Sequence, residues 1–318
     1  MEYRKIPNTD LNISTIGIGT WAMGNDFWGA DVDDKDSIAA IEASLDSGIN
    51  FIDTAPAYGA GHAETIVAKA IKGKRDKTII ATKTGVVRTS DAFLRDLKPE
   101  TILKDMEESL TRLNTDYIDL YYIHWPDVNT PLEDSVSTLI KLHQQGKFRY
   151  LAVSNFTLEL MEQIKGMTDI VALQPNYSML KRSIEEDIVP YCVDNELALI
   201  TYGTLAGGFL TGKYRELPNF AEADARSRFY NYYNEDTWPQ LQGLLTVLDT
   251  VAEKHNCTVA QVAIAWSLQQ KGITSALVGA KNARQAITNA KAASVQLSKN
   301  ECSEIDAYLR NKLQEVIF

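Results

Sequence analysis

Apolar residues gather in short runs that recur along the whole chain. "TIGIG" (15–19), "INFID" (49–53), "TIIATK" (78–83), "YIDLYYIH" (117–124), "FRYLAVSN" (148–155), "IVALQPN" (170–176), "LALITY" (197–202) and "SALVGA" (275–280) are bounded by turn residues or by polar, periodic stretches. Each reads as a β-strand. The stretches between them carry helical spacing. From Asp36 to Ser47, Ile38, Ile41 and Leu45 share one face, and "HAETIVAKAIKGK" (62–74) repeats the theme. "PETILKDMEESLTRL" (99–113) has Pro99 near its first turn, and "PLEDSVSTLIKLHQQGK" (131–147) stops around Gly146. "SIEEDIVPYCVDN" (183–195) is interrupted by Pro190.

Strands that alternate with helices predict a parallel sheet with right-handed crossovers. Eight such units in a chain of 318 residues fit a closed (β/α)8 TIM barrel, one domain spanning 1–318. The spacing loosens once, at the insertion "GGFLTGKYRELPNFAEADARSRFYNYYNEDTW" (207–238), before helices of about 240–255 and 258–270. Long loops on such a scaffold serve as covers for ligands. The start, "YRKIPNTDLNIS" (3–14), reads as a hairpin plugging the barrel bottom, and "SKNECSEIDAYLRNKL" (298–313) as an extra C-terminal helix. "GIGTWA" (17–22) matches a loose dinucleotide fingerprint, but "MGNDFWGAD" follows it and opens no helix, which argues against a Rossmann reading.

Composition narrows the class. Apolar content of 45% and charged content of 23% are those of a soluble globular chain. A net charge of -10 disfavours nucleic acid and anionic membrane as partners. Three widely separated cysteines offer neither a CxxC nor a zinc spacing and suit a reducing compartment. With no signal-like start and no apolar run of about 18 residues, the chain reads as cytoplasmic.

In a β/α barrel the chemistry sits at the carboxyl ends of the strands. Here strand two ends at Asp53, with Tyr58 in the following loop; strand three ends at Lys83, and strand four at His124. Singly, Asp53 reads as a loop or cap acid, Tyr58 as rim packing, Lys83 as a solvated amine and His124 as a bonded core imidazole. Jointly they bring an acid, a phenol, an amine and an imidazole to one face. A lysine inside "IIATKTG" needs a partner, and Asp53 on the adjacent strand supplies one. An ammonium held there is expected to lower the Tyr58 pKa from about 10 by about 1–3 units. A neutral His124 would orient a substrate carbonyl, making Tyr58 a general acid aimed at a developing alkoxide. What this set lacks is a hydride source.

Later strand ends are polar. Ser154, Asn155 and Gln174 can grip a carboxamide, and Tyr202 can stack on a planar ring. Lys281 and Arg284 lie where a helix opens after strand eight, which suits a phosphate. The glycine-rich "GTLAGGFLTGK" with Lys213 suits a pyrophosphate. Trp21, Phe27, Trp28, Trp125 and the aromatic "FYNYY" (229–233) are candidates for the pocket wall.

With these residues in place, the chain resembles the aldo-keto reductase superfamily over essentially its whole length. The matching stretches are "IGIGTWAMG", "FIDTAPAYGAG", "IIATKTG", "RLNTDYIDLYYIHWPD", "GKFRYLAVSNF", "LQPNYSML", "TYGTLAGGFLTGKY" and "LVGAKNARQAITN". It is most similar to bacterial-type members near the inositol-cluster reductases and to potassium-channel β subunits. The resemblance implies a (β/α)8 barrel binding NADP(H) without a Rossmann fold, with NADH the less favoured cofactor, and a small-molecule carbonyl substrate. It implies a catalytic tetrad of Asp53, Tyr58, Lys83 and His124. Ser154, Asn155 and Gln174 would hold the nicotinamide amide, Tyr202 would stack on its ring, and Lys281, Arg284, Gln285 and Asn289 would surround the adenosine 2′-phosphate. Gly19, Thr20, Trp21, Gly203, Thr204, Leu205, Gly207, Lys213 and Gly279 would line the rest of the cofactor, with Trp28 and Trp125 toward substrate. Ala63 stands where the family often has Ser, and Gly203–Thr204 where it often has Ser–Pro. Two other readings compete: a barrel aldolase or isomerase using Lys83 as a Schiff base, and a cofactor-sensing subunit that regulates a partner.

Overall fold

The computed structural model describes residues 1–25, 32–89, 92–220, 224, 226–230 and 232–317. The chain opens with β1 (Tyr3–Lys5) and β2 (Asn12–Ser14), an antiparallel hairpin with Tyr3 opposite Ser14. There follow β3 (Ile16–Gly19), α1 (Asp34–Asp46), β4 (Phe51–Asp53), α2 (His62–Ala70) and β5 (Ile79–Thr84). A second hairpin, β6 (Val86–Arg88) and β7 (Phe93–Arg95), precedes α3 (Pro99–Leu113), β8 (Ile118–Ile123) and α4 (Leu132–Gln144). The second half contains β9 (Phe148–Ser154), α5 (Leu158–Lys165), β10 (Ala172–Gln174), α6 (Ile188–Asp194) and β11 (Ala198–Thr201). It ends with α7 (Arg226–Phe229), α8 (Trp238–Lys254), α9 (Val259–Gln269), β12 (Ile273–Gly279), α10 (Ala283–Ala290), α11 (Lys299–Lys312) and α12 (Gln314–Ile317).

Eight strands close into a parallel barrel in chain order, β3-β4-β5-β8-β9-β10-β11-β12, with Val278 of β12 opposite Ile18 of β3. The strand–helix alternation read from the sequence is therefore the barrel it predicts. The barrel interior is filled by Phe51, Ala81, Leu120, Tyr122, Ala152, Ala172, Ala198, Ile200 and Leu277. From below, Ile6, Leu11 and Ile13 of the first hairpin join the same cluster and plug the bottom. The alternate strand residues, among them Ile52, Ile80, Val153 and Leu199, face the helices and pack with Ile66, Met106 and Leu139. Burying each such side chain stabilises by about 1.5–3 kcal/mol, so the strands are apolar on both faces.

Three local readings change. Pro190 does not interrupt a helix. α6 begins at Ile188 behind a capping Asp187, so the proline falls in the first turn, where its missing N–H removes no bond. The run 170–176 contracts to Ala172–Gln174, because Pro175 has no N–H to give the ladder. The β6–β7 hairpin is absent from the sequence reading, since its segments are short and face solvent.

At the amino ends of the strands, Asp119 is buried at the start of β8. It accepts from the Ile80 amide at 3.0 Å, pairs with Arg75 at 2.8 Å and with Arg149 at 3.1 Å. Arg149 also pairs with Asp10 in the plugging hairpin, tying plug to barrel. No helix among the described residues is long and apolar enough to cross a membrane.

Candidate active site

The carboxyl end of β4 delivers Asp53 to the barrel mouth, and β5 delivers Lys83 beside it. The Lys83 ammonium donates to Asp53 Oδ1 at 2.7 Å, to the Thr54 carbonyl at 2.8 Å and to the Tyr58 hydroxyl at 3.2 Å. All three of its hydrogens are thereby engaged, and the side chain is fully buried. Gln174, at the end of β10, donates from Nε2 to the other Asp53 oxygen at 2.8 Å. Thr20, just past β3, donates its amide and its hydroxyl to the Asp53 carbonyl, both at 3.0 Å. Behind β5, Glu64 of α2 accepts from Thr82 at 2.7 Å and from Arg112 at 2.6 Å.

Tyr58 reaches this centre because its loop packs without side chains against the 3-10 turn Trp21–Gly24. A Cβ on Gly59, which has φ +63°, would stand 2.3 Å from the Gly24 carbonyl oxygen, so only glycine allows the approach. The Tyr58 ring stacks on Trp21 at 6.1 Å and meets His124 edge-on at 5.9 Å. Phe229, the first residue of the aromatic loop, packs edge-on against Trp21 at 5.5 Å.

The electrostatics depart from the sequence reading at Tyr58. Burial first, and then the Asp53 carboxylate, hold its pKa well above 10. The expected lowering by Lys83 is overturned, because Asp53 balances the ammonium and the pocket withholds the water that would solvate a phenolate. Lys83 itself is pulled below 10.5 by burial, against Asp53 and then Glu64. His124 lies well below 6.5, through burial and then the Lys83 charge, so its imidazole is neutral at neutral pH. The centre thus holds a protonated phenol, an anchored amine and a neutral imidazole.

A second polar group continues from it. Ser154 Oγ donates to the Gln174 carbonyl at 2.8 Å, and Asn155 Nδ2 donates to the His124 carbonyl at 3.1 Å and to Ser154 Oγ at 3.0 Å. Tyr202 donates its hydroxyl to Asn155 Oδ1 at 2.8 Å, which fixes the ring. Gly19 and Gly279 end adjacent strands directly opposite each other. Thr204 is anchored to the Leu277 carbonyl at 3.0 Å, between Gly203 and the half-buried Leu205. Tyr230 covers Gly207, and the Lys213 ammonium lies 4.5 Å from the Tyr214 ring. After β12, the Lys281 amide donates to Gln285 Oε1 at 2.8 Å, Arg284 is exposed in the first turn of α10, and Asn289 donates to the Gly279 carbonyl at 3.1 Å. Amide donors and acceptors at one end and cations at a helix start at the other are the donor set a nicotinamide dinucleotide requires.

Trp125 is half-buried, with the Arg95 guanidinium 4.6 Å above its ring. Trp28, Phe27 and Asn231 of "FYNYY" lie outside the described residues. Two residues beside these side chains escaped the sequence reading. Arg95 belongs to a hairpin with no apolar alternation to reveal it, and Tyr122 passes there as one more apolar strand residue.

Fold and centre together define a (β/α)8 barrel with its chemistry-bearing side chains at the carboxyl ends of the strands. The Aldo/keto reductase family model matches residues 15–310, and the chain belongs to this family of oxidoreductases. The aldo-keto reductase YhdN of Bacillus subtilis is 38% identical, covering 100% of this chain and 96% of its own. An NADH-specific methylglyoxal reductase of Escherichia coli is 32% identical over 99% of both chains. Among solved structures, a glycerol dehydrogenase of Gluconobacter oxydans superposes with a TM-score of 0.89 at 36% identity, covering 98% of this chain and 96% of that one. An aldo/keto reductase of Klebsiella pneumoniae in complex with NADP and acetate gives 0.72 at 28% identity, covering 93% and 91%.

Proposed function

We propose that this chain is an NADPH-dependent reductase of aldehydes and ketones, working in reverse on the matching alcohols or sugars, and acting as one barrel domain over 1–318. The observation that carries the reading is the Lys83 ammonium, bonded at once to Asp53, Thr54 and Tyr58 beside a neutral His124. When bound, NADPH supplies a hydride to the carbonyl carbon. Tyr58 transfers its hydroxyl proton to the carbonyl oxygen, while Lys83, held charged by Asp53, stabilises the phenolate left behind. His124 donates to the same oxygen and sets its direction. Because Tyr58 is a weak acid in the resting pocket, the proton leaves only as negative charge develops on the substrate.

Ser154, Asn155 and Gln174 would bind the carboxamide, and Tyr202, pinned by Asn155, would stack on the ring. Gly19, Thr20, Trp21, Gly203, Thr204, Leu205, Gly207, Lys213 and Gly279 would line the pyrophosphate path. Lys281, Arg284, Gln285 and Asn289 would take the adenosine 2′-phosphate, and the two cations underlie the preference for NADPH over NADH. Trp125 would face substrate. The Schiff-base reading is disfavoured, since a lysine with every hydrogen engaged and a carboxylate at 2.7 Å is held charged.

The test is Tyr58→Phe. Turnover with a panel of sugars, aromatic aldehydes and dicarbonyls should fall at least about 10²–10⁴-fold, with the NADPH Kd unchanged. Retained turnover sinks the assignment; tight NADPH binding without turnover in the parent chain marks a regulatory subunit instead.

A further inference from the structure

The β6–β7 hairpin leaves the barrel mouth beside His124. The His124 amide donates to the Thr84 carbonyl at 3.0 Å, and the hairpin departs from β5 just beyond, at Gly85. Its base is pinned on both strands. Asp105 accepts from the Gly85 amide at 3.0 Å, and the Asp96 amide donates to the Gly85 carbonyl at 3.1 Å. The Leu97 amide donates to Asp127, in the loop after β8, at 3.1 Å, and the Leu97 carbonyl accepts from Ser135 at 2.9 Å. Arg95 lies at this fixed base, opposite Val86 in the ribbon register.

Arg95 is exposed, and its guanidinium stands 4.6 Å from the centre of the Trp125 ring. A ring face satisfies the charge only in part and offers no carboxylate or carbonyl to the five N–H donors. Among the described residues the side chain makes no ion pair and no hydrogen bond. The acids nearby are committed elsewhere: Asp96 pairs with Lys98, and Asp127 accepts from Leu97, Asn129 and Thr130. Arg284 and Arg310 likewise lack an acid partner among the described residues, and each has another use. Arg284 falls to the cofactor phosphate, and Arg310 lies in the last turn of α11, where a helix favours a cation.

In the proposed function the reacting carbonyl oxygen sits between Tyr58 and His124. On one side Tyr58, Trp21 and Phe229 form a row of rings; past His124 come Trp125 and Arg95. A substrate that extends over Trp125 meets an apolar ring and then a cation without an acid. The chain as a whole carries a net charge of -10, so an anionic substrate needs such a local charge at the mouth. We propose that Arg95 is a specificity-determining residue, and that the preferred substrates are carbonyl compounds carrying a carboxylate or phosphate group a few bonds from the carbonyl. The anion takes the guanidinium N–H donors in a forked, charge-assisted pair, while Trp125 lies against the connecting carbons. The inference rests on the proposed function and names its substrate class.

The experiment compares kcat/KM, with NADPH, for carboxybenzaldehydes against the matching formylbenzamides, and for phosphorylated glyceraldehyde against glyceraldehyde. In the parent chain the anionic member should be favoured about fivefold, and the ratio should shrink as salt rises. Arg95→Gln should abolish that preference at low salt, through KM rather than kcat. Arg95→Glu should invert it and reverse its salt dependence. Arg95→Lys keeps the charge without the fork and should give an intermediate ratio. A preference held for the carboxylates alone, or for the phosphate alone, supports the proposal and identifies the anion. A parent chain that favours neither anion, or a ratio that Arg95→Gln leaves as it is in the parent, overturns it. So does a loss that Arg95→Lys shares in full and salt does not move, since packing on Trp125 would then explain it. Failure of the proposed function reads differently: the parent would turn over neither member of either pair, which removes this inference as well.

Discussion

Asp53 and Asp119 are both buried carboxylates on barrel strands, one at each end of the barrel, and each is paired with cations from neighbouring segments. At the bottom, Asp119 meets two arginines and a backbone amide. The guanidinium groups keep their charge at any physiological pH, both are partly exposed, and Arg75 lies against the Tyr117 ring at 4.1 Å. Each Asp119 oxygen meets an arginine, and neither guanidinium gives up a proton. At the mouth, Asp53 meets a fully buried lysine that in turn bonds a phenol. Lysine, tyrosine and histidine there all titrate, and burial displaces each of them. One chemical motif, an acid and a cation on adjacent segments, is a rivet where the cation is arginine at the rim, and a relay where it is lysine in a dry pocket.

The comparison breaks most sharply at Lys83. Lys83→Met leaves Asp53 buried without its cation, and should cost about 3–5 kcal/mol in urea unfolding as well as turnover. The Asp53→Asn/Lys83→Met double variant should recover most of that stability and remain inactive, because removing both members of a buried pair is close to neutral. A double variant no more stable than the single one would show that the pair is a structural rivet after all. Asp119→Asn should have a smaller effect, about 2–3 kcal/mol, since both arginines can turn to water. Its kcat/KM should stay within about twofold of the parent, as nothing at the bottom touches the reaction; a large kinetic loss would join the two ends of the barrel functionally.

The smallest expected effect is one of pH. The His124 pKa in the folded chain lies below its ordinary 6.5, so the unfolded chain binds a proton that the native one refuses. The stability is complete above 6.5 and falls as the pH drops below it, by at most about 1.4 kcal/mol per unit. His124→Gln should remove that slope, so the gap between parent and variant should change by up to about 2 kcal/mol from pH 7 to pH 5. The arginine–carboxylate cluster contributes no such slope from its cations, so Arg149→Met should leave the slope between pH 7 and pH 5 as it is in the parent.

Much of this was legible in the chain. The recurring apolar runs announced the barrel because strands buried on both faces need unbroken apolar sequence, and the plugging hairpin and late helices followed from the same patterning. Asp53, Lys83 and His124 stood out as polar residues terminating apolar strands. Other features left no such mark. The β6–β7 hairpin is exposed and short, so no periodicity records it. Tyr122 sits in a strand position where an aromatic residue is ordinary, and only the barrel register places it opposite Lys83.

The sequence by itself determined which residues end the strands, hence the barrel and the family, because strand order and side-chain alternation are local properties of the pattern. The tertiary structure alone decided how those residues act on one another. The Tyr58 pKa rises where composition and adjacency argued that it should fall, since desolvation depends on the walls of the pocket and not on the neighbour in the list of residues. The Gln174–Asp53 bond joins strand ends that stand 121 positions apart in the chain, and only closure of the barrel brings them within reach.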